Sequence, residues 1–316
     1  MNNRKAFTIV ELLTSITIIA LLLGILLPSI SMIRTKAKET AQKAQFATMD
    51  MALDTFKQDY GDYPPSNLTQ PPNPPDYCGA QKLTEALVGW DLMGFHPKSA
   101  WRSDGYTGTG VPFTPVLGVT EFSYDPDRTR GITTLSERKG LYLELATANV
   151  FKLSQLFNNT TPLAPNTFVL CDVFKVRKLT DNTGKLVTAG APILYYKADT
   201  SHKTIDPNFE LNLNNRIYDY RHNQPLIELG KLTVNGTSGL KHPLGYVGPD
   251  FQVFYSDKYI GPPYIPTATY GGSGIGYGIR DPKIANPARP YRPDSYILIS
   301  AGPDGYYGTA DDIHNY

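Results

Sequence analysis

The stretch FTIVELLTSITIIALLLGILL, Phe7 to Leu27, decides how this chain is read. Across that whole run the one charged side chain is Glu11. Wound as an α-helix, such a run is about 30 Å long, the thickness of a bilayer's hydrocarbon core. Arg4 and Lys5 stand just before it, and no Lys or Arg falls between Phe7 and Ser31. Basic residues stay on the cytoplasmic side, so the pattern predicts a span with its amino end inside and the rest of the chain outside. A carboxylate near the centre of a membrane helix costs about 2.5–3.5 kcal/mol. Glu11 lies near one end, where snorkelling or protonation reduces that cost. An apolar residue would serve better as a plain anchor, so the acid marks a function and calls for a cation at similar depth. A new α-amino group at Phe7, made by cutting after Ala6, would supply one.

Two other readings use the same residues. The segment could be an uncleaved signal anchor, or a secretory signal cut after Ser31 in the small-x-small run Ser29-Ile30-Ser31. Ordinary secretory signals have a shorter apolar core and lack an acid within it.

A short basic leader followed by Phe-Thr-Ile-Val-Glu and a long apolar helix resembles the processing signal of type IV pilin-like proteins. The resemblance implies cleavage between Ala6 and Phe7 by a prepilin peptidase, methylation of Phe7, and a role in assembly for Glu11. It also implies a kink or local melting at Pro28, where such helices carry a proline. The residue before the cut in that family is usually Gly, and here it is Ala6.

The helical pattern continues beyond the apolar stretch. Ser31 to Tyr60 contains no Gly or Pro, and Phe46, Met49, Leu53, Phe56 and Tyr60 fall three or four apart on one stripe. Lys36, Lys43, Asp50, Asp54 and Gln58 are placed opposite. The stripe predicts packing against a sheet. Gly61 is the expected stop, and Pro64-Pro65 block re-entry. The junction Tyr60-Gly61-Asp62-Tyr63-Pro64 resembles the helix end of the major pseudopilins of type II secretion systems.

Composition bounds the rest. The chain has 316 residues with 30 basic and 29 acidic side chains, net +1, which argues against a nucleic-acid footprint. Its 27 Gly and 26 Pro predict a turn-rich head. Residues 64–79 hold six prolines and read as an extended loop. Helices are expected at Gln81–Met93 and Leu141–Phe157. Strands are expected at Thr167–Leu179, in a hairpin through Asp181-Asn182-Thr183-Gly184 into Lys185–Thr188, at Pro192–Lys197, and at Tyr296–Ser300. Cys78 and Cys171 show no CxxC or zinc spacing; a single disulfide and two buried thiols both remain open.

Near the carboxyl end, Asp304, Asp311 and Asp312 lie in turn-forming sequence with Gly302, Gly305 and Gly308. Read alone, the residues suit either a solvated turn or an oxygen-rich cation loop completed by main-chain carbonyls. The resemblance to major pseudopilins implies calcium held by these three acids. Enzyme signatures do not emerge. His96, His202, His222, His242 and His314 lack metalloprotease spacing, and Gly271–Gly276 has no P-loop lysine. Asp125-Pro126-Asp127 reads as an isolated acidic turn.

The expected fold is α+β: a long amino-terminal transmembrane and stalk helix packed on an antiparallel head sheet with large insertions. The expected segments are a leader at 1–6, a transmembrane helix at 7–28, a stalk at 29–61 and a head at 62–316. The resemblance implies a non-catalytic filament subunit of a type II secretion pseudopilus or a related type IV pilus-like fibre. The alternatives are a minor or tip subunit that binds a ligand or partner, and an anchored exported enzyme. Implied partners are further copies, other pilin-like subunits, prepilin peptidase, an inner-membrane assembly platform and the membrane itself. Its place would be a bacterial inner membrane, with the head periplasmic or extracellular.

Overall fold

The computed structural model describes residues 8–69, 75–105, 124, 134–157, 159–175, 177–180, 184, 186–202, 217–229, 232–234, 237–240, 279–285, 288–305, 307 and 311–316. In chain order the elements are helices α1 (Ile9–Tyr60) and α2 (Gly79–Val88), strand β1 (Val150–Lys152) and the short helix α3 (Leu153–Leu156). Strands β2 (Phe168–Leu170), β3 (Arg177–Thr180), β4 (Leu186–Ala189) and β5 (Leu194–Lys197) follow, then a 3-10 turn (Tyr220–Asn223) and α4 (Gln224–Leu229). The remaining strands are β6 (Leu232–Val234), β7 (Thr237–Leu240), β8 (Arg280–Ala285), β9 (Ala288–Pro290), β10 (Tyr296–Ser300) and β11 (Ile313–His314). The fold therefore mixes helix with small antiparallel sheets, as α+β.

Two compact units divide the chain, Met1–Ala41 and Gln42–Tyr316. The first contains the amino-terminal part of α1. The second contains the last turns of α1 together with every other element. In that second unit Phe46, Met49, Leu53 and Phe56 are buried, as their spacing predicts. Gly61 ends the helix with φ +82°, donating its N–H to Lys57 O at 2.7 Å. Only glycine takes that left-handed geometry without strain.

The central sheet has the order β11-β10-β5, all antiparallel. Its side chains alternate between two cores. Tyr195, Tyr296 and Leu298 join Phe46, Met49 and Leu53 of α1 and Leu83 and Leu87 of α2. Leu194, Tyr196, Ile297 and Ile299 join Leu153, Leu156, Leu226 and Ile227 on the opposite face. Burial on both faces explains why Tyr296–Ser300 reads as an unbroken apolar run rather than an alternating one. The β3–β4 hairpin forms as expected, with Thr180 opposite Leu186 and Gly184 at φ +81°.

Three expectations need correction. Leu141–Phe157 is not one helix. Leu143 belongs to the α1 core while Leu153 and Leu156 belong to the opposite core, so no single helical face could serve them. The chain turns instead at Asn149, φ +48°, and Val150–Lys152 pairs with β2. Thr167–Leu179 is two strands. Between them Asp172, 1% exposed, accepts from the N–H groups of Phe174 at 3.1 Å and Ala191 at 3.2 Å and from Ser300 Oγ at 3.0 Å. Asp50 is no solvated counterpart to the apolar stripe. It accepts from Tyr296 Oη at 2.6 Å, Asn315 Nδ2 at 3.0 Å and Arg292 at 3.3 Å, tying the chain's end to α1.

The expected helix at Gln81–Met93 is α2, shifted to Gly79–Val88. Cys78 and Cys171 are both buried thiols without a disulfide between them. Gln81 Nε2 bonds Thr167 Oγ1 at 2.5 Å, and Thr84 Oγ1 accepts from Leu170 N at 3.0 Å. α2 and β2 thus run side by side, with Cys78 at the start of the pair and Cys171 past its end. Burial pushes the Cys78 thiol up to about 12.

Candidate functional site: the start of the long helix

Thr8 caps α1. Its hydroxyl accepts from Glu11 N at 3.2 Å, while Glu11 Oε2 accepts from Thr8 N at 2.9 Å and Thr8 Oγ1 at 2.8 Å. This is a reciprocal capping box, and the negative carboxylate also suits the positive end of the helix dipole. The Thr-x-x-Glu spacing was readable in the sequence; the missed step was to treat Thr8 as the residue that orients Glu11. Among the described residues, both Glu11 contacts use Oε2.

Around Glu11 the side chains of Ile9, Val10, Leu12, Leu13, Ile16, Ile18 and Ile19 are exposed on all sides of the helix. The hydroxyls of Thr14, Ser15 and Thr17 turn back to carbonyls four residues earlier, at 3.0, 2.7 and 2.8 Å. Polar groups tied back in this way are compatible with an apolar surrounding. The helix runs through Pro28 without interruption. Ala6 and Phe7 lie outside the described residues. No helix, among the described residues, is long and apolar enough to cross a membrane.

The carboxyl-terminal acids occupy a loop between β10 and β11. Gly302, φ +62°, sits so close to Asp311 O that a Cβ would lie 2.1 Å from it. Asp304 N donates to Asp311 Oδ2 at 2.9 Å, closing the loop. Asp304 is exposed and Asp312 is buried. Among the described residues no group of three or more His, Cys, Asp or Glu converges as a metal site. Two of the three acids therefore come together, and a cation would need main-chain oxygens to fill its shell. Gly308 lies outside the described residues, as do His242, Asp125-Pro126-Asp127 and Gly271–Gly276.

Among the described residues two Ser–His contacts lie in the head: Ser201 Oγ is 2.8 Å from His202 Nδ1 at the surface, and the other is in the interior. Ser66 Oγ lies 2.8 Å from His222 Nδ1 and accepts from Lys197 N at 2.9 Å. Ser66 is 2% exposed, and burial pushes the His222 imidazole down to about 4. The pair ties three segments of the interior.

The prokaryotic N-terminal methylation motif matches residues 1–27, the segment that holds Ala6, Phe7 and Glu11. Residues 1–27 thus carry a type IV pilin-like prepilin signal, the kind that prepilin peptidase reads. The same motif indicates a membrane-anchored amino end and assembly with pilin-type subunits. No curated protein and no solved structure matches the chain.

Proposed function

We propose that this chain is a structural subunit of a type II secretion pseudopilus or a closely related pilus-like filament. Cleavage between Ala6 and Phe7 releases an α-amino group at the mouth of α1. The apolar part of α1 lies in the bacterial inner membrane, with the head on the far side. Within one subunit Glu11 is held by Thr8 through Oε2, leaving Oε1 for the amino group of a neighbouring copy. Removed from water, two such charges attract strongly, and the pair offsets the cost of carrying each alone in lipid. A heterologous contact of this kind repeats without closing and generates a fibre.

The observation that carries this reading is the methylation motif, inside which a long helix starts with Glu11 in its first turn. We read the chain as non-catalytic, since the Ser66 hydroxyl is buried and its bonds to His222 and Lys197 tie interior segments together. A tip or minor subunit would share the same amino-terminal chemistry and differ in copy number, which subunit stoichiometry in purified filaments distinguishes. A calcium ion at Asp304, Asp311 and Asp312 would brace the carboxyl-terminal loop. Mass spectrometry of the protein from its native membrane tests the central claim. The expected species begins with methylated Phe7; a chain that begins at Met1, or after Ser31, overturns it.

A further inference from the structure

Glu85 belongs to none of the sites above. It lies on α2, every residue of which is buried, and is itself 2% exposed. Its Oε1 takes a short hydrogen bond from Ser99 Oγ, and its Oε2 has no hydrogen-bond partner among the described residues. The hydroxyls of Tyr77 and Tyr124 also lie near the carboxylate and, with Ser99, favour its charged form, but burial outweighs all three. Tyr124 Oη accepts from His96 N at 2.9 Å, and Tyr77 Oη donates to Gln81 O at 3.4 Å. The nearby cation on the same helix, Lys82, spends its ammonium on Asn67 O at 2.6 Å and Asn67 Oδ1 at 3.2 Å. A buried carboxylate so poorly matched is costly when charged and comfortable when neutral.

What Glu85 holds is a belt of chain over α2. Ser99 also accepts from Trp101 N at 3.0 Å. Trp101 stacks on Phe95 with ring centroids 5.0 Å apart. Trp90 stacks on Tyr124 at 6.1 Å and donates Nε1 to Ser103 O at 3.1 Å. Tyr124 in turn lies under the Arg138 guanidinium at 4.9 Å.

We propose that Glu85 is a proton-operated latch: its neutral carboxyl keeps residues 95–105 and Tyr124 seated on α2, and loss of the proton loosens them. Burial pushes the Glu85 carboxyl up to about 7. With the folded value above the ordinary 4.5, its stabilisation is full below about 4.5 and is lost as pH rises through about 7. The other groups facing the latch behave differently. Burial lowers the His96 imidazole, so loss of its proton as pH rises restores stability, opposite in sign to Glu85. Burial lowers Lys82 to about 8, so its deprotonation restores stability above that pH, opposite in sign to Glu85. Arg138 is paired with Asp91 at 2.7 Å and Arg102 with Asp104 at 2.8 Å; Lys98 and Glu137 pair at 3.4 Å beside His96. Burial holds the Tyr77 and Tyr124 hydroxyls well above their usual range, so neither ionises in this window. A head outside the cytoplasm would meet the pH of its surroundings, and the latch would couple its compactness to that pH.

The chain has two tryptophans, Trp90 and Trp101, and both stand one contact from the latch. Tryptophan emission of the full-length protein in detergent micelles, titrated from about pH 5.5 to about pH 8.5, is therefore a local reporter. The expected result is a transition centred near neutral pH in the wild type and a flat response in Glu85→Gln. The melting temperature should fall across the same range in the wild type and much less in the variant. Ser99→Ala, which removes the donor that favours the charged form, should move the midpoint to higher pH. A wild type without a transition, an identical transition in Glu85→Gln, or an unmoved midpoint in Ser99→Ala would each overturn the latch.

Discussion

At the scale of single residues, the amino-terminal chemistry was legible because it is local. A helix cap, a charge and a run of apolar residues all act within a few positions of one another, so the order of residues already contains them. Thr8 and Glu11 show this directly: the Thr-x-x-Glu spacing fixes a capping box that the structure forms at 2.8 to 3.2 Å. Asp50 shows the opposite case. Its partners, Arg292, Tyr296 and Asn315, lie more than two hundred residues away along the chain, and no pattern around Asp50 announces them. Glu85 was hidden for the same reason, since its burial depends on where Ser99, Tyr77 and Tyr124 fold. For Glu11 the consequence is testable. Glu11→Ala removes the acid yet makes the apolar stretch more apolar, so membrane insertion should persist. Losing about 1.4 kcal/mol at each subunit contact already lowers the association constant about tenfold. Because the contact repeats along a fibre, polymer recovered from sheared cells should fall by at least about that factor. Wild-type amounts of fibre would remove Glu11 from assembly.

At the scale of elements, the difference between success and failure is how many cores an element serves. α1 presents one stripe to one core, and its period could be read from Phe46 to Tyr60. β10 is buried on both faces, and its unbroken apolar run identified it with the observed bounds. Leu141–Phe157 failed because Leu141 and Leu145 are exposed while Leu143 joins one core and Leu153 and Leu156 the other, a division no one-dimensional period reveals. The β10–β11 loop carries the element-scale prediction. Its ends are pinned without a cation. Ser300 donates to Asp172 at its start, Tyr307 donates to Pro192 O inside it, and Asn315 holds Asp50 just past it. A calcium ion bound by Asp304, Asp311 and Asp312 would therefore brace a loop already docked, and chelation should lower the melting temperature without unfolding the head. By mass action, an ion at a hundred times its dissociation constant contributes about 2.7 kcal/mol. Asp312→Ala should abolish the calcium-dependent part of the melt. A wild-type melting temperature indifferent to both chelator and added calcium would leave the acids as turn residues.

At the scale of the whole molecule, the chain separates into a unit that needs a partner and a unit that has its own core. Among the described residues of Met1–Ala41, large apolar side chains from Ile9 to Ile33 are exposed. Gln42–Tyr316 contains both faces of the central sheet, α2, and the buried ties of Asp172 and Ser66. Domains with a closed core fold alone, whereas a helix with apolar residues all round does not stay monomeric in water. A fragment of residues 42–316 should accordingly be monomeric and melt in one cooperative transition, while forming no fibre under any condition that assembles the full chain. Within that fragment Asp50→Ala should lower stability by about 1–3 kcal/mol, because it leaves the Tyr296 hydroxyl without its acceptor and the half-buried Arg292 without its carboxylate partner. The transition should stay single, since Asp50 ties the chain's end to α1 inside one core and does not join two. Two resolved transitions in the wild-type fragment would mean that the sheet's two faces unfold independently, and the head would have to be redrawn as two domains sharing β5 and β10.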